Sequence, residues 1–239
     1  MPAHWSWRIE VRPRRRTLGI EVRPDASIVV AVPENADPDA VANAVRSRLP
    51  WLATAIKRRK ELVAEHPAKQ LLDGEGFAYL GRHYRLLLVE NQSVPVRLSG
   101  GWLRLRWPTT ASCAASAIID WYRTRGQRWL ADHVRGWHSR IGVPLPTIEV
   151  RDLGTRWGLR ERDNTIAIHW AVLQLPVELI ELVLVHELVH LAARRHDKEF
   201  RRRLLLAMPD ADLLERRLAE QGRLVWMGAI RTERGIVNP

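Results

Sequence analysis

The sequence predicts an α+β protein: a β-rich N-terminal half carrying a helix pair, and a C-terminal half in which one oily helix lies next to a small sheet. Three observations carry this. Polar and apolar residues alternate in WSWRIEV and in TLGIEVRPDASIVVAVP, the period-two pattern of half-buried strands. Between Pro38 and about His66 the pattern turns helical. The run from Pro176 to Arg194 is apolar on most sides, through Leu179, Leu182, Val183, Val185, Val189 and Leu191, as expected of a helix buried in a core.

Taken in order, the first strands form a hairpin or meander with a turn at Pro24-Asp25, and the helix pair that follows breaks near Pro50, because proline disrupts a helix interior. A second β-rich stretch reads FAYLGRHYRLLLVE and VPVRLSGGWLRLRWP, with Gly100-Gly101 as its turn. Ala111 to Ile141 forms one or two helices carrying Trp121, Tyr122, Trp129 and Trp137. Two short strands follow, TIEVRDL and NTIAIHW, separated by GTRWGLRERD. After the oily helix, Asp197 is placed to cap another, which Pro209 ends. The simplest partition is a β-rich region over 1–108, a second domain over 109–222 and a tail over 223–239. The eleven tryptophans are scattered through both halves, and most are expected in the core.

At 239 residues with 46% hydrophobic content the chain can bury a sizeable core. One cysteine, Cys113, excludes an internal disulfide and a cysteine-based zinc cluster, which points to a reducing compartment. The first residues, MPAHWSWRIEVRPRRR, lack the apolar stretch of a signal peptide, and the oiliest window is interrupted by Glu178, Glu181 and Glu187. The expectation is a soluble, cytoplasmic protein with no membrane partner. The net charge is +11, and only four of the 38 basic residues are lysine. Basic runs occur as RPRRR (Arg12 to Arg16), KRRK (Lys57 to Lys60) and FRRR (Phe200 to Arg203). With no phosphate loop or nucleic-acid module beside them, these runs predict at most weak, non-specific nucleic-acid contact.

The chemistry concentrates in VLVHELVHLAARRHDKEF, Val183 to Phe200. Residues four apart share a helix face, so His186 and His190 can both aim an imidazole at one metal ion. Glu187, one residue round, flanks that ion without ligating it and can take a proton from a metal-bound water. Zinc suits two imidazoles plus one further protein ligand, with a position left for water. An HExxH arises by chance in a chain of this composition only about twice in a hundred. The alternative is a core helix whose histidines merely satisfy hydrogen bonds, but two histidines with the intervening glutamate would then strand several polar groups. The third ligand is His196, six residues after His190, or a later glutamate, Glu215 or Glu220. Enzymes with HExxHxxGxxH turn sharply at the glycine, where this chain has Ala193. A left-handed turn at Ala193 or Arg194 would cost about 1–2 kcal/mol, so the helix is expected to run on toward Arg195. His169 reads as an oxyanion donor or as a surface or supporting histidine, and Arg156 as an anion clamp or an arginine packed on Trp157.

TLGIEV and SIVVAVP, YLGRHYRL (Tyr79 to Leu86), WY (Trp121-Tyr122), RWG (Arg156 to Gly158), IAIHW, VHELVHL, RHDKEF and AMPD occur in this order over nearly the whole chain. In this the chain resembles the YgjP-like metallopeptidase-domain family, relatives of the WLM and SprT-like zinc proteases. The resemblance implies a zincin-like fold in the C-terminal half, zinc on His186, His190 and His196, and Glu187 as the catalytic glutamate. The family usually reads RWGSC where this chain has Leu159 and Arg160. It has asparagine where His169 stands, and an aromatic where Arg201 stands.

Three functions follow as expectations. The first is a zinc hydrolase that cleaves peptide bonds, with water activated by Glu187 and NTIAIHW at the cleft edge pairing with an extended peptide. The second, implied by the resemblance, is a nucleoside triphosphate (UTP) pyrophosphatase. The third is a DNA-associated SprT-like protease or a non-enzymatic binding protein. The expected substrate is accordingly a peptide or protein, or a nucleoside triphosphate.

Overall fold

A computed structural model describes residues 5, 7–13, 15, 17–22, 28–54, 66–232 and 235–237. It is a mixed α and β structure of several small sheets and helices, and it divides into two compact units, 1–65 and 66–239.

In the first unit, β1 (Trp7–Val11), β2 (Gly19–Val22) and β3 (Ile28–Val32) form a sheet in the order β1-β3-β2. The continuous apolar run IVVAV makes β3 the central strand, buried along its whole length, as period-two strands at the edges are not. β2 and β3 pair antiparallel, as a hairpin would, whereas β1 runs parallel to β3. The first two strands therefore do not form a meander. The turn expected at Pro24-Asp25 lies outside the described residues. Helix α1 (Pro38–Ser47) starts at Asp37, whose carboxylate accepts the N–H groups of Asp39 and Ala40, and residues 49–54 are helical again. The remainder of the expected second helix, with the KRRK run, also lies outside the described residues.

The second unit opens with a four-stranded sheet, β4 (Gly76–Tyr79), β5 (Arg82–Val89), β6 (Val96–Ser99) and β7 (Trp102–Arg106), ordered β4-β5-β7-β6. Two hairpins build it. Gly100 and Gly101 turn β6 into β7 with positive φ at both positions, as a two-residue hairpin needs. Leu80 and Gly81 do the same between β4 and β5, dividing a stretch that reads as one in the sequence. Inward-facing Phe77, Leu86, Leu103 and Leu105 pack on helix α2 (Ala111–Ile141), one unbroken helix capped by Thr110 and ended by left-handed Gly142. This shared core is why the compact division falls at residues 65 and 66, where the sequence partition placed a join near Pro108. Strands 76–106 share one core with helix α2.

A second sheet follows, β8 (Thr147–Arg151), β9 (Gly158–Arg160) and β10 (Thr165–His169), ordered β8-β10-β9. β9 forms inside the segment that reads as a connection, GTRWGLRERD. β10 runs parallel to β8 and antiparallel to β9. NTIAIHW is therefore the paired centre of the sheet, and β9 takes the edge. A 3-10 turn, Trp170–Gln174, leads into helix α3 (Val177–Ala192), followed by α4 (Lys198–Ala207) and α5 (Ala211–Gln221). Leu80 donates its N–H to the carbonyl of Leu173 at 2.7 Å, and Gly81 lies so close to Pro176 that a Cβ there would meet its Cα at 2.9 Å. The first sheet thus braces the N-terminus of α3.

The chain after Gly222 packs on the rest of the second unit. Trp226 is buried and exchanges backbone hydrogen bonds with the Gln174 amide, and β11 (Ile230–Thr232) hydrogen-bonds the Lys69 backbone before pairing with β12 (Gly235–Val237). Its sequence lacks periodicity because single side chains, Trp226 and Ile230, anchor it. Of the tryptophans, Trp121, Trp170 and Trp226 are buried, whereas Trp7, Trp51 and Trp102 are exposed, so fewer sit in the core than their number suggests. Among the described residues, no helix is long and apolar enough to cross a membrane.

Candidate metal centre

His186 and His190 stand one turn apart on α3, and the chain then reverses so that His196 returns to them. Its Nε2 lies 3.0 Å from that of His186 and 3.1 Å from that of His190. Zinc held at about 2.0–2.1 Å by imidazoles at tetrahedral angles needs nitrogens about 3.3 Å apart, so the triad fits a metal ion with small adjustments. The three nitrogens form a possible metal-holding group among the described residues. His196 is exposed, which leaves the triad open to solvent on its side.

The reversal needs no glycine. α3 ends at Ala192, and Ala193 caps it in an extended conformation, φ −128° and ψ 102°. The helix does not run on to Arg195 as expected, and the left-handed turn is avoided by an extended step that any L-residue adopts. Ala193 also works on the site: its carbonyl lies 3.1 Å from Nδ1 of His190. An imidazole that donates Nδ1–H there keeps the Nε2 lone pair for a metal. Asp197 then caps α4, accepting the N–H groups of Glu199 and Phe200, and Pro209 follows its end.

Beneath the triad lies Phe200, 3% exposed. Its ring centroid is 4.9 Å from that of His186, 4.5 Å from His190 and 4.7 Å from His196. An apolar floor touching all three rings restrains their rotamers. No role in the site is read for Phe200 from the sequence; the available signal is its place in RHDKEF, in the first turn after His196.

Burial pushes the pKa of His186 down to about 4, helped by the neighbouring histidines. Burial also lowers His190, against the raising effect of its bond to Ala193. Both imidazoles are therefore neutral at neutral pH, the form that ligates. Glu187, 8% exposed, moves the other way. Burial pushes its pKa up to about 7, opposed by the backbone N–H of Arg160 and the charge of Arg156.

The contact with Arg160 depends on Gly158. A Cβ at that position would lie 2.6 Å from Cγ of Glu187 and 2.7 Å from its Oε1. Only a glycine lets β9 come this close. Both contributions of the strand, a missing side chain and a main-chain N–H, are invisible to a search for chemically active side chains.

The rival ligands sit elsewhere. Glu215 pairs with Arg201 at 3.1 Å, and Asp212 also pairs with that arginine. Glu220 is exposed. The acids around Arg201 explain how an arginine is accommodated there. His169 is 1% exposed, not a surface residue. Its Nδ1 accepts the N–H of Ala171 as the cap of the 3-10 turn, the task an asparagine side chain performs at such a position. Arg156 is exposed and acts on Glu187 through its charge.

A model of the YgjP-like metallopeptidase domain matches residues 16–221. The chain belongs to this family. The YgjP-like match spans both compact units and includes the three histidines and Glu187. It supports a metallohydrolase of the metallopeptidase type, for which a metal ion at the triad is the implied cofactor. No curated protein matches the chain. Among solved structures, the crystal structure of the metallopeptidase zymogen of Pyrococcus abyssi abylysin is 25% identical, covering 41% of this chain and 99% of that one. Its TM-score of 0.37 is too low to argue from.

Proposed function

We propose that the chain is a zinc-dependent hydrolase that cleaves peptide bonds, with His186, His190 and His196 holding the metal and Glu187 acting as general base. The observation that carries this reading is the convergence of three imidazole nitrogens beside a buried carboxylate. Zinc, when bound, supplies Lewis acidity: it polarises a carbonyl and acidifies water.

The remaining work falls to the chain's own residues. Glu187 takes a proton from the attacking water and returns it to the leaving amine. A carboxyl with a pKa near neutrality is suited to both steps, and a cation at the triad would draw that pKa down toward the ionised form. The Arg160 N–H favours the ionised carboxylate, lowering the pKa that burial raises. His169 donates its N–H to the Trp157 carbonyl, and Glu161 donates to Thr165. Alternation along β9 therefore turns the backbone of Gly158 outward, where an extended peptide can pair.

A second reading, hydrolysis of a nucleoside triphosphate, draws support from Arg156 and Arg160, whose charges act on Glu187 and His190. Zinc-loaded protein assayed on denatured proteins and on nucleoside triphosphates separates the two. Cleavage of the polypeptide with the triphosphates left intact is expected. Triphosphate turnover with the polypeptide intact would replace the first reading by the second. Metal analysis of His196→Ala should show most of the zinc lost. Full zinc in that variant, with loss on changing Glu215 or Glu220, would reassign the third ligand.

A further inference from the structure

The outward face of the β4-β5-β7-β6 sheet gathers arginines from three strands around an exposed tryptophan. Burial alternates along β7, and the register places half-buried Leu87 and Val89 of β5 on the outward face beside Arg104 and Arg106. Leu86, Val96, Leu103 and Leu105 are buried, and Arg85, Arg97, Arg104, Arg106 and Trp102 lie on the opposite side. The register brings them together: Trp102 stands beside Arg85 on one side and Ser99 on the other, and Arg97 is directly opposite Arg104. Trp102 is 37% exposed.

Several arginines elsewhere are matched by acids. Arg12 pairs with Glu10 and Glu21, Arg201 with Glu215, and Arg202 and Arg203 with Glu199. On the sheet face no described acid pairs with an arginine. The acids bordering the sheet, Asp73 and Glu75, are bound to the backbone N–H groups of Leu88 and of Gln70 and Leu71. Glu90 stands just past the end of β5. Like charges directly opposite on neighbouring strands destabilise a sheet, so the Arg97–Arg104 pair works against the fold unless an anion covers it.

We propose that this face binds single-stranded nucleic acid, the arginines contacting phosphates and Trp102 stacking a base. A flat row of guanidinium groups around one exposed aromatic ring is the combination that recognises unpaired strands. A folded acidic protein would use the charge but has no need of the ring.

The test is fluorescence anisotropy of a labelled oligo-dT of about twenty nucleotides, longer than a single domain's usual site, titrated with the full chain. Binding should fall with salt at a logarithmic slope of about −3, for four phosphates neutralised on a single strand. Arg85→Glu with Arg97→Glu should weaken it at least about tenfold at low salt, and Trp102→Ala by roughly five- to hundredfold. Arg202→Gln with Arg203→Gln should leave it unchanged. Melting curves confirm that each variant is folded, and Arg85→Gln with Arg97→Gln should act in the same direction as the charge reversal. Failure to bind oligo-dT would overturn the proposal. So would equal affinity for a duplex or for polyglutamate, indifference to Trp102→Ala, or dependence on Arg58 and Arg59 instead of the sheet.

Discussion

The candidate metal centre has two walls built on opposite principles. The α3 wall works through side chains: His186, Glu187 and His190 each bring a functional group, and Phe200 beneath them holds the rings. The β9 wall works through main chain: Gly158 contributes the absence of a side chain, and Arg160 a backbone N–H. The difference says which substitutions each wall tolerates. On the helix, changing a residue changes the chemistry. On the strand, any residue except proline supplies an N–H, so Leu159 and Arg160 can stand where the family has serine and cysteine. The glycine before them cannot change without displacing Glu187.

Breaking the helix wall from below should have the largest effect on the fold. Phe200→Ala removes a buried ring, at a cost of about 3–5 kcal/mol, and frees all three imidazoles. Denaturant unfolding should show the loss, and competition with a chelator should show weaker metal retention. Phe200→Leu should recover part of both. Wild-type metal retention in a folded Phe200→Ala protein would mean the floor does not orient the ligands.

Breaking the strand wall should spare the metal and damage the chemistry. In Gly158→Ala the added Cβ forces β9 or Glu187 to move, an overpacking cost of about 1–3 kcal/mol. Turnover should fall by roughly tenfold or more, as misplacement of a catalytic group does, with zinc content intact. Normal turnover would show that the close approach is dispensable.

The smallest effect belongs to a side chain doing main-chain duty on the same sheet. His169→Asn keeps an acceptor for the Ala171 N–H and should change stability by less than His169→Ala, which loses a cap worth about 1 kcal/mol. The pH dependence separates histidine from asparagine. Burial lowers the pKa of His169 below its ordinary 6.5, so below that pH the unfolded chain binds a proton that the folded chain resists. Stability should therefore fall as pH drops from about 7 to about 5, less steeply in His169→Asn. Identical slopes in denaturant unfolding would remove His169 from the acid response.

How much of this was legible in the sequence follows the same division. The helix wall was readable because helical spacing converts sequence separation directly into a shared face, and because Asp197 and Pro209 mark the ends of α4 by local chemistry. The strand wall was not. β9 is three residues long, inside a segment rich in glycine and charge, and exists through pairing with β10 and packing on α3. Ala193 misled because, without glycine for a left-handed turn, the helix was expected to run on to Arg195, where an extended step at Ala193 ends it instead. The basic sheet face escaped for a related reason: strand alternation separates its arginines by apolar residues, so they form no run, while the visible run FRRR is matched by acids from α4 and α5. Trp226 and Ile230 dock the C-terminal segment through long-range contacts that leave no periodic trace.

The measurement that bears most directly on the central claim is the zinc content and turnover of Glu187→Gln. Glutamine keeps the shape of glutamate but cannot accept a proton at neutral pH. With His186, His190 and His196 untouched, the variant should bind one equivalent of zinc and melt like the wild type. Its turnover should fall on the order of a hundredfold or more, the scale for a positioned general base, on peptide or triphosphate alike. A folded, zinc-loaded Glu187→Gln protein with wild-type turnover would contradict the account: the triad would hold its metal, and the buried carboxylate beside it would not be the base.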